Sequence, residues 1–379
     1  MEDLQVRVAE SSFVAPSEPT PRKGLWLSSL DLLMAKRGHT PTFYLFHHND
    51  AASDFFDVAR LKAAMAKALV PFYPLAGRLG VDNSGRMEID SVAEAEERQL
   101  VPRIEPSSVV LAVQVTFFRC GGVALGTALH HVSIDAMSAF HFFETWSTFS
   151  RDGDRAAVEL PCHDRTLLRA RSPPTVDPDA LFMFHPNFAL TDPSGPITSK
   201  VFPISKDQVA SLKRLCGGAS TFCAVSALLW RCTLMPHLPE RYFGNALVRV
   251  GVAIAVRDII ASEALSSVAG HIGGAIRRID DEMVRSAVDY VEAMEMSGDQ
   301  WAGTRPETEL QVTSWLGMPI YDADFGWGKP RVMSSANNSL GGSVHLMSGP
   351  ADGVRVLMSM EAANVKELGR LLYEALARC

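Results

Sequence analysis

The sequence predicts an α/β fold divided into two domains. Three observations lead there. Stretches with a period of two residues alternate with stretches at three-to-four spacing, without the regular rhythm of βαβ units. The chain has 379 residues, enough for two ordinary domains. Near its middle, residues 172–198 hold six prolines and little periodicity, the composition of a crossover between two packed units. Hydrophobic residues make up 47% and charged residues 21%, which suits a sizeable core and argues against disorder.

The elements follow in order. Residues 4–9 alternate and read as a short strand, and "PSEPTPRK" (16–23) as an extended connector. "PTFYLFHH" (41–48) has the aromatic content of a strand. Val58, Leu61, Met65, Ala68 and Leu69 mark an amphipathic helix over 55–69, which Pro71 stops. Residues 109–131 read as two strands joined around Gly121-Gly122, a hairpin. Residues 137–150 are helical by pattern, with Phe140, Phe143 and Trp146 on one core-facing stripe. Beyond the crossover, helices are expected at 205–216, 220–232, 245–256, 283–295 and 363–377, and strands at 311–315, 343–347 and 354–360.

Charge and composition exclude several classes of function. A net charge of -7 disfavours general nucleic-acid binding, though a local basic patch could still take a phosphate-bearing ligand. The six cysteines form no CxxC pair and read as reduced thiols of a cytoplasmic protein. The N-terminus "MEDLQVRVAESS" lacks an apolar segment, so no secretory signal is expected. Arg249 and Arg257 interrupt the longest apolar run, so no membrane span is expected either. No GxGxxG or P-loop pattern is present.

Two motifs could carry chemistry. The first is His131-Val-Ser-Ile-Asp135. With a strand ending near 130 and a helix starting near 136, it occupies a strand-to-helix turn. Asp135 is then placed to cap the helix, and His131 has the right basicity to take a proton near neutral pH. On spacing alone, a polar turn explains the motif better than a general base does. A metal site built from His130, His131, Asp135 and His141 is disfavoured, because adjacent strand residues point to opposite faces and no ligand spacing supports it. The second motif is "DADFGWG" (322–328). Gly326 and Gly328 flank Trp327, which suggests a tight loop with close backbone approach. Asp324 could satisfy loop amides or pair with an arginine. A kinase reading of "DFG" fails without its partner motifs.

Together, HxxxD and DFGWG resemble the plant BAHD acyltransferase family. "LWLSSLDLL" (25–33), "HTPTFYLF" (39–46), "ALVPFYPLAGRL" (68–79), "STFCAVSALLWRC" (220–232), "LPERYFGNA" (238–246) and "TSWLGMPIYDADFGWGKP" (313–330) resemble its blocks in the family's order, over nearly the whole chain. "HTPTFYLF" and "FFRCGGVALG" look most similar to grass hydroxycinnamoyltransferases, including those that acylate amines.

The resemblance implies two chloramphenicol-acetyltransferase-like α/β domains, with mixed β-sheets flanked by helices and an active-site channel between them. Residues 1–171 would carry HxxxD, 172–198 the crossover, and 199–379 DFGWG. It implies His131 as general base and the indole N–H of Trp315, with Thr313 nearby, as donors to the oxyanion. Asp135 would be structural, bracing the motif through an arginine, as would Asp324, Gly326, Trp327 and Gly328. Thr42 and Tyr44 match positions that line the acceptor pocket in shikimate-using relatives. Ser220 and Thr221, at a helix start, are candidates for CoA phosphate with Lys206 and Lys213, although a cap and solvated lysines explain them equally. No permanent cofactor and no metal are implied. Acyl-CoA is the co-substrate, and the protein is expected to be a cytoplasmic monomer without membrane or nucleic-acid partners.

Three departures from the family pattern stand out. Ala136 replaces the usual glycine after the motif aspartate. The chain is short after "GRMEID" (85–90) and at "TLMPH" (233–237), where relatives carry an arginine that pairs with the motif aspartate. These segments are either deleted or omitted from the chain as given. Gln300 falls where shikimate-using relatives have an arginine, unless Arg305 substitutes, and Glu307 and Glu309 make the region acidic. An acidic mouth suits a cationic amine. The expected activity is N-acylation of tryptamine, tyramine, putrescine or agmatine with a hydroxycinnamoyl or benzoyl group. The alternatives are O-acylation of shikimate, quinate or another alcohol, and a catalytically weak relative that binds CoA esters.

Overall fold

The computed structural model describes residues 7–47, 54–90, 109–178, 196–229, 245, 265–297, 310–335, 341–349 and 352–377. Among these, two four-stranded sheets organise the molecule. In the first, β5 (Leu111–Phe117) and β6 (Val123–His130) form the expected hairpin, closed at Phe118 and Gly122. β2 (His39–Phe46) lies on the other side of β6, and β9 (Val332–Ser335) lies beyond it, giving the antiparallel order β5-β6-β2-β9. The helices α2 (Val58–Ala68) and α3 (Ala136–Asp152) share its core through Leu61, Met65, Phe140 and Phe143. Trp146, on the predicted aromatic stripe, donates its indole N–H to Leu61 O at 3.0 Å.

The second sheet has the order β7-β11-β10-β8, from β7 (Ile197–Ile204), β11 (Val354–Glu361), β10 (Ser343–Ser348) and β8 (Gln311–Trp315). The β10–β8 pair is parallel and the others antiparallel, so this sheet is mixed. Its core is shared with α4 (Lys206–Leu215), α5 (Thr221–Leu229), α6 (Leu265–Arg277) and α8 (Ala362–Ala377). A third, small sheet has β4 (Met87–Asp90) between β1 (Gly24–Trp26) and β3 (Arg78–Val81). Leu30 of α1 (Ser29–Leu33) packs with Ala287, Val288 and Val291 of α7 (Asp281–Ser297).

Several elements differ from the sequence expectations. Residues 7–9 are irregular and exposed rather than a strand, while 4–6 lie outside the described residues. The tail of the proline-rich stretch is already β7, which Lys200 and Pro203 disguise. Proline is tolerated there because β7 is an edge strand. Gly270, Gly273 and Gly274 hid α6. The helix expected at 245–256 lies outside the described residues apart from Asn245.

Between β8 and β9 the chain leaves one sheet for the other, and DFGWG lies on that passage. Asp324 Oδ1 accepts from the backbone N–H of Gly326 at 2.8 Å and of Gly328 at 2.9 Å. Both glycines hold φ near +100°, a region that side chains avoid. Trp327 stacks on Phe56, and the Arg60 guanidinium lies 4.7 Å above its ring. Arg60 also donates to Ser150 O at 2.7 Å and Phe325 O at 3.2 Å, tying the loop to the end of α3. A Cβ on Gly326 would meet Arg60 Nη2 at 2.3 Å. Gly326→Ala should therefore cost about 2 kcal/mol of stability. A lowered denaturant midpoint with an unchanged m-value would show it, and an unchanged midpoint would contradict it.

Candidate active site

The HxxxD turn forms where β6 ends. The His131 amide donates to Gly38 O at 2.9 Å, and Asp135 caps α3 by accepting from Ser138 N at 3.0 Å. This is the cap role its position suggested. His130 is buried against His39 at 5.0 Å between ring centroids, so it belongs to the packing.

His131 Nδ1 lies 3.0 Å from Asn245 Oδ1. The Asn245 amide nitrogen faces three acceptors: His131 O at 2.7 Å, Asp31 Oδ1 at 3.0 Å and Val132 O at 3.3 Å. A flipped amide would turn its oxygen toward those acceptors. The oxygen therefore faces the imidazole, and Nδ1 must carry the proton. Nε2 is left with its lone pair, the form a general base needs.

Asp31 lies behind Asn245, in a capping box with Ser28. Its Oδ1 also accepts from Asn245 N at 2.8 Å. Its Oδ2 accepts from Ser28 N and Ser28 Oγ, each at 2.8 Å. Arg165 completes the cluster. Its Nη1 is 2.8 Å from Asp31 Oδ2, an ion pair out of line for a hydrogen bond, while Nη2 donates to Ser133 O at 2.7 Å. The side chains of this pair are 1% and 0% exposed. Among the described contacts, Arg165 braces the HxxxD turn through the Ser133 carbonyl.

The second sheet contributes Trp315, at the end of β8, with Thr313 on the same face two residues earlier. The Trp315 ring stands edge-on to Phe140 of α3 at 5.9 Å and to His345 of β10 at 5.2 Å. His345 lies in register with Thr313 on the neighbouring strand. Burial, and then the charges of Arg37 and His131, hold the His345 imidazole down at about 4. Trp315 thus meets the first domain at Phe140, and His345 feels the charge of His131.

The other expected site residues are placed as follows. Thr42 Oγ1 is 2.6 Å from Thr127 Oγ1. Tyr44 is buried against Phe143, and its hydroxyl has no hydrogen-bond partner among the described residues. Burial pushes that hydroxyl's pKa up. Ser220 Oγ accepts from Cys223 N at 3.1 Å, as a helix cap does. Lys206 is ion-paired with Asp352 at 2.7 Å, and Lys213 sits in the last turn of α4. Thr221 is the first residue of α5, so Ser220 is placed as a cap and Lys206 as a surface ion pair. Gln300, Arg305, Glu307, Glu309 and the shortened segments lie outside the described residues. Among the described residues no group of three or more His, Cys, Asp or Glu could hold a metal ion. No described helix is long and apolar enough to cross a membrane.

The neutral histidines make stability depend on pH. Burial first, and then His39, lower His130 to about 4, and His345 sits at about the same value. An unfolded histidine titrates near 6.5. Between about 4 and 6.5 the unfolded chain binds more protons, so stability is present above that window and is lost as pH falls through it. The fully buried His345 ring contributes on the order of 3 kcal/mol, and His130 acts in the same direction. The melting temperature should drop steadily from about pH 6.5 to pH 4, and less steeply in His345→Phe; a flat profile would contradict this.

A strand-to-helix turn that ends in a capped HxxxD beside one sheet, with Trp315 of a second, mixed sheet packed on the same helix through Phe140, is the arrangement of an α/β fold built on two sheets. Comparison with known proteins gives the same class. The model of the Transferase family matches residues 4–97, 94–235 and 231–370, and the chain belongs to this family, the BAHD acyltransferases. It is 39% identical to putrescine hydroxycinnamoyltransferase 1 of Oryza sativa subsp. japonica over 450 aligned positions, covering 98% of this chain and 100% of the relative. It is 33% identical to shikimate O-hydroxycinnamoyltransferase of Nicotiana tabacum, covering 98% and 100%. Among solved structures, F. graminearum TRI101 complexed with coenzyme A and deoxynivalenol superposes with a TM-score of 0.70 at 15% identity, covering 91% of this chain and 96% of that one. The 450 aligned positions exceed the 379 residues here, so the alignment carries gaps in this chain. The family match breaks at 94–97 and 231–235, near the two shortened segments.

Five site residues had no role in the sequence reading: Asp31, Arg37, Arg165, Asn245 and His345. Asp31 had a local signal, the Ser28-x-x-Asp31 capping box. Buried arginines and histidines give none, because charge normally marks surface.

Proposed function

We propose that the protein transfers a hydroxycinnamoyl or benzoyl group from its CoA thioester to an amine, with His131 as general base. The geometry that carries this reading is the Nδ1 contact of His131 with Asn245, which leaves Nε2 able to accept a proton. As the neutral amine nitrogen attacks the thioester carbonyl, its proton passes to Nε2. The carbonyl oxygen becomes an oxyanion, stabilised by the Trp315 N–H with Thr313 nearby. Collapse breaks the C–S bond, and the leaving thiolate takes up the proton from His131. The products are an amide and CoA.

Thr42 and Tyr44, on one face of β2, are the proposed acceptor wall, and the Tyr44 hydroxyl, which has no hydrogen-bond partner among the described residues, is the proposed donor there. Ser220, Thr221, Lys206 and Lys213 remain the proposed CoA contacts, though Lys206 would have to leave Asp352 to serve. The amine acceptor is supported by the likeness to the putrescine enzyme, at 39% identity against 33% for the shikimate enzyme. That second likeness keeps an O-acyltransferase as the alternative. The protein is proposed to act as a cytoplasmic monomer.

The test is a panel of p-coumaroyl-, feruloyl- and benzoyl-CoA against putrescine, agmatine, tyramine, tryptamine and shikimate. Product mass and thiol release are the readouts. Amide formation is expected, and shikimate ester without amide would overturn the acceptor assignment. Trp315→Phe keeps the ring contacts but loses the N–H. It should lower kcat about 100-fold with little change in KM for acyl-CoA. A kcat within about twofold of the unmodified protein would remove Trp315 from the oxyanion site.

A further inference from the structure

We propose that Asp31 is a positioning residue for catalysis, setting the tautomer of His131 through Asn245 with Arg165 as its counter-ion. The inference rests on His131 being the general base.

The polarity of the chain of hydrogen bonds can be followed atom by atom. Asp31 offers only acceptors, and each of its oxygens is already engaged. Oδ2 receives the Ser28 amide and hydroxyl and faces Arg165. Oδ1 receives the amide and the side-chain nitrogen of Asn245. A carboxylate at this point therefore draws the Asn245 NH2 toward itself and turns the Asn245 oxygen toward His131 Nδ1. That oxygen can only accept, so the imidazole proton sits on Nδ1. The two carbonyls of the turn, at His131 and Val132, reinforce the same orientation of Asn245.

Fixing Asp31 in this role takes a cation that is equally buried. Arg165 supplies it, and its other nitrogen holds Ser133 O inside the same turn. None of Asp31, Ser28 or Arg165 touches Nε2 through the contacts described, so each would act on the reaction only through the orientation of others.

Asp31→Asn tests this, because it is isosteric and reverses one polarity. Ser28 donates at that position and the Arg165 cation lies beside it, so the oxygen of the new amide would take that side. Its NH2 would then face Asn245, whose backbone N–H loses its acceptor and whose side chain can meet the NH2 only by turning its own oxygen away from His131. The Asn245 NH2 would then point at Nδ1 and favour the Nε2–H tautomer, which cannot accept a proton.

Expected are a kcat about 100-fold lower, a KM for acyl-CoA within about twofold, and loss of the Nδ1–H form. The last is read from 15N NMR of the His131 ring, assigned by comparison with His131→Gln. Because Asp31→Asn strands the Arg165 charge and could unfold the protein, Asp31→Asn/Arg165→Met is the companion variant. It removes both charges while Ser28 still selects the amide oxygen, and the same kcat loss and tautomer change are expected. Normal kcat and an Nδ1–H ring in a folded variant, with His131→Ala inactive, would overturn the role of Asp31 and leave the general base standing. An active His131→Ala would instead remove the general-base reading itself.

Discussion

His131→Ala should lower kcat by about 1,000-fold and leave the affinity for acyl-CoA nearly unchanged. General bases contribute about 10²–10⁴ in rate, and the better-placed ones fall in the upper half of that range. The His131 ring is held on one side by Asn245, and its backbone is tied to Gly38. The variant removes the ring and leaves those supports in place. Thiol release under saturating acyl-CoA measures the loss, and quenching of tryptophan fluorescence by acyl-CoA measures binding. A variant that keeps more than about a tenth of the activity would falsify the general-base assignment.

Arg165→Met should have the largest effect on stability, about 3 kcal/mol or more. The substitution keeps most of the side-chain volume but leaves the Asp31 carboxylate buried without its cation. Breaking one half of a buried pair costs about 3–5 kcal/mol, since the remaining charge has neither water nor partner. Four donors from Ser28 and Asn245 remain around Asp31 and hold the loss near the lower end. Urea unfolding gives the number. Adding Asp31→Asn to Arg165→Met should recover part of the stability, because the pair is then absent rather than broken. If Arg165→Met unfolds at the same urea concentration as the unmodified protein, the ion pair does not support the fold.

The two sets of residues differ in how far they could be read from sequence. Strands with alternating or aromatic runs, such as β2, β6 and β11, and helices with a clear apolar stripe, such as α2 and α3, are set by local pattern. The strands β1, β3 and β4 have only three or four residues each, too few to establish a period. His131 was legible because HxxxD, together with DFGWG, carries the family resemblance, and the cap role of Asp135 because the motif sits at a strand-to-helix boundary. Its supports were not, since Asn245 reaches His131 across 114 residues and Asp31 across 214. No local preference encodes such a meeting. His345 lies in the strand expected at 343–347, and its place beside Trp315 follows from the parallel register of β8 and β10.

The passage from β8 to β9 has a consequence for how such chains can be recombined. β9 belongs by sequence to the second half of the chain, yet it is the outer strand of the first sheet, paired with β2 from Thr42↔Ser335 to Leu45↔Val332. A hybrid spliced within 172–198 would exchange that strand together with the second half. The borrowed Val332–Ser335 segment would then have to match a β2 it had not been selected to meet, directly beside Thr42 and Tyr44. The first sheet, with the proposed acceptor wall on it, would therefore be inherited from both parents of any such hybrid.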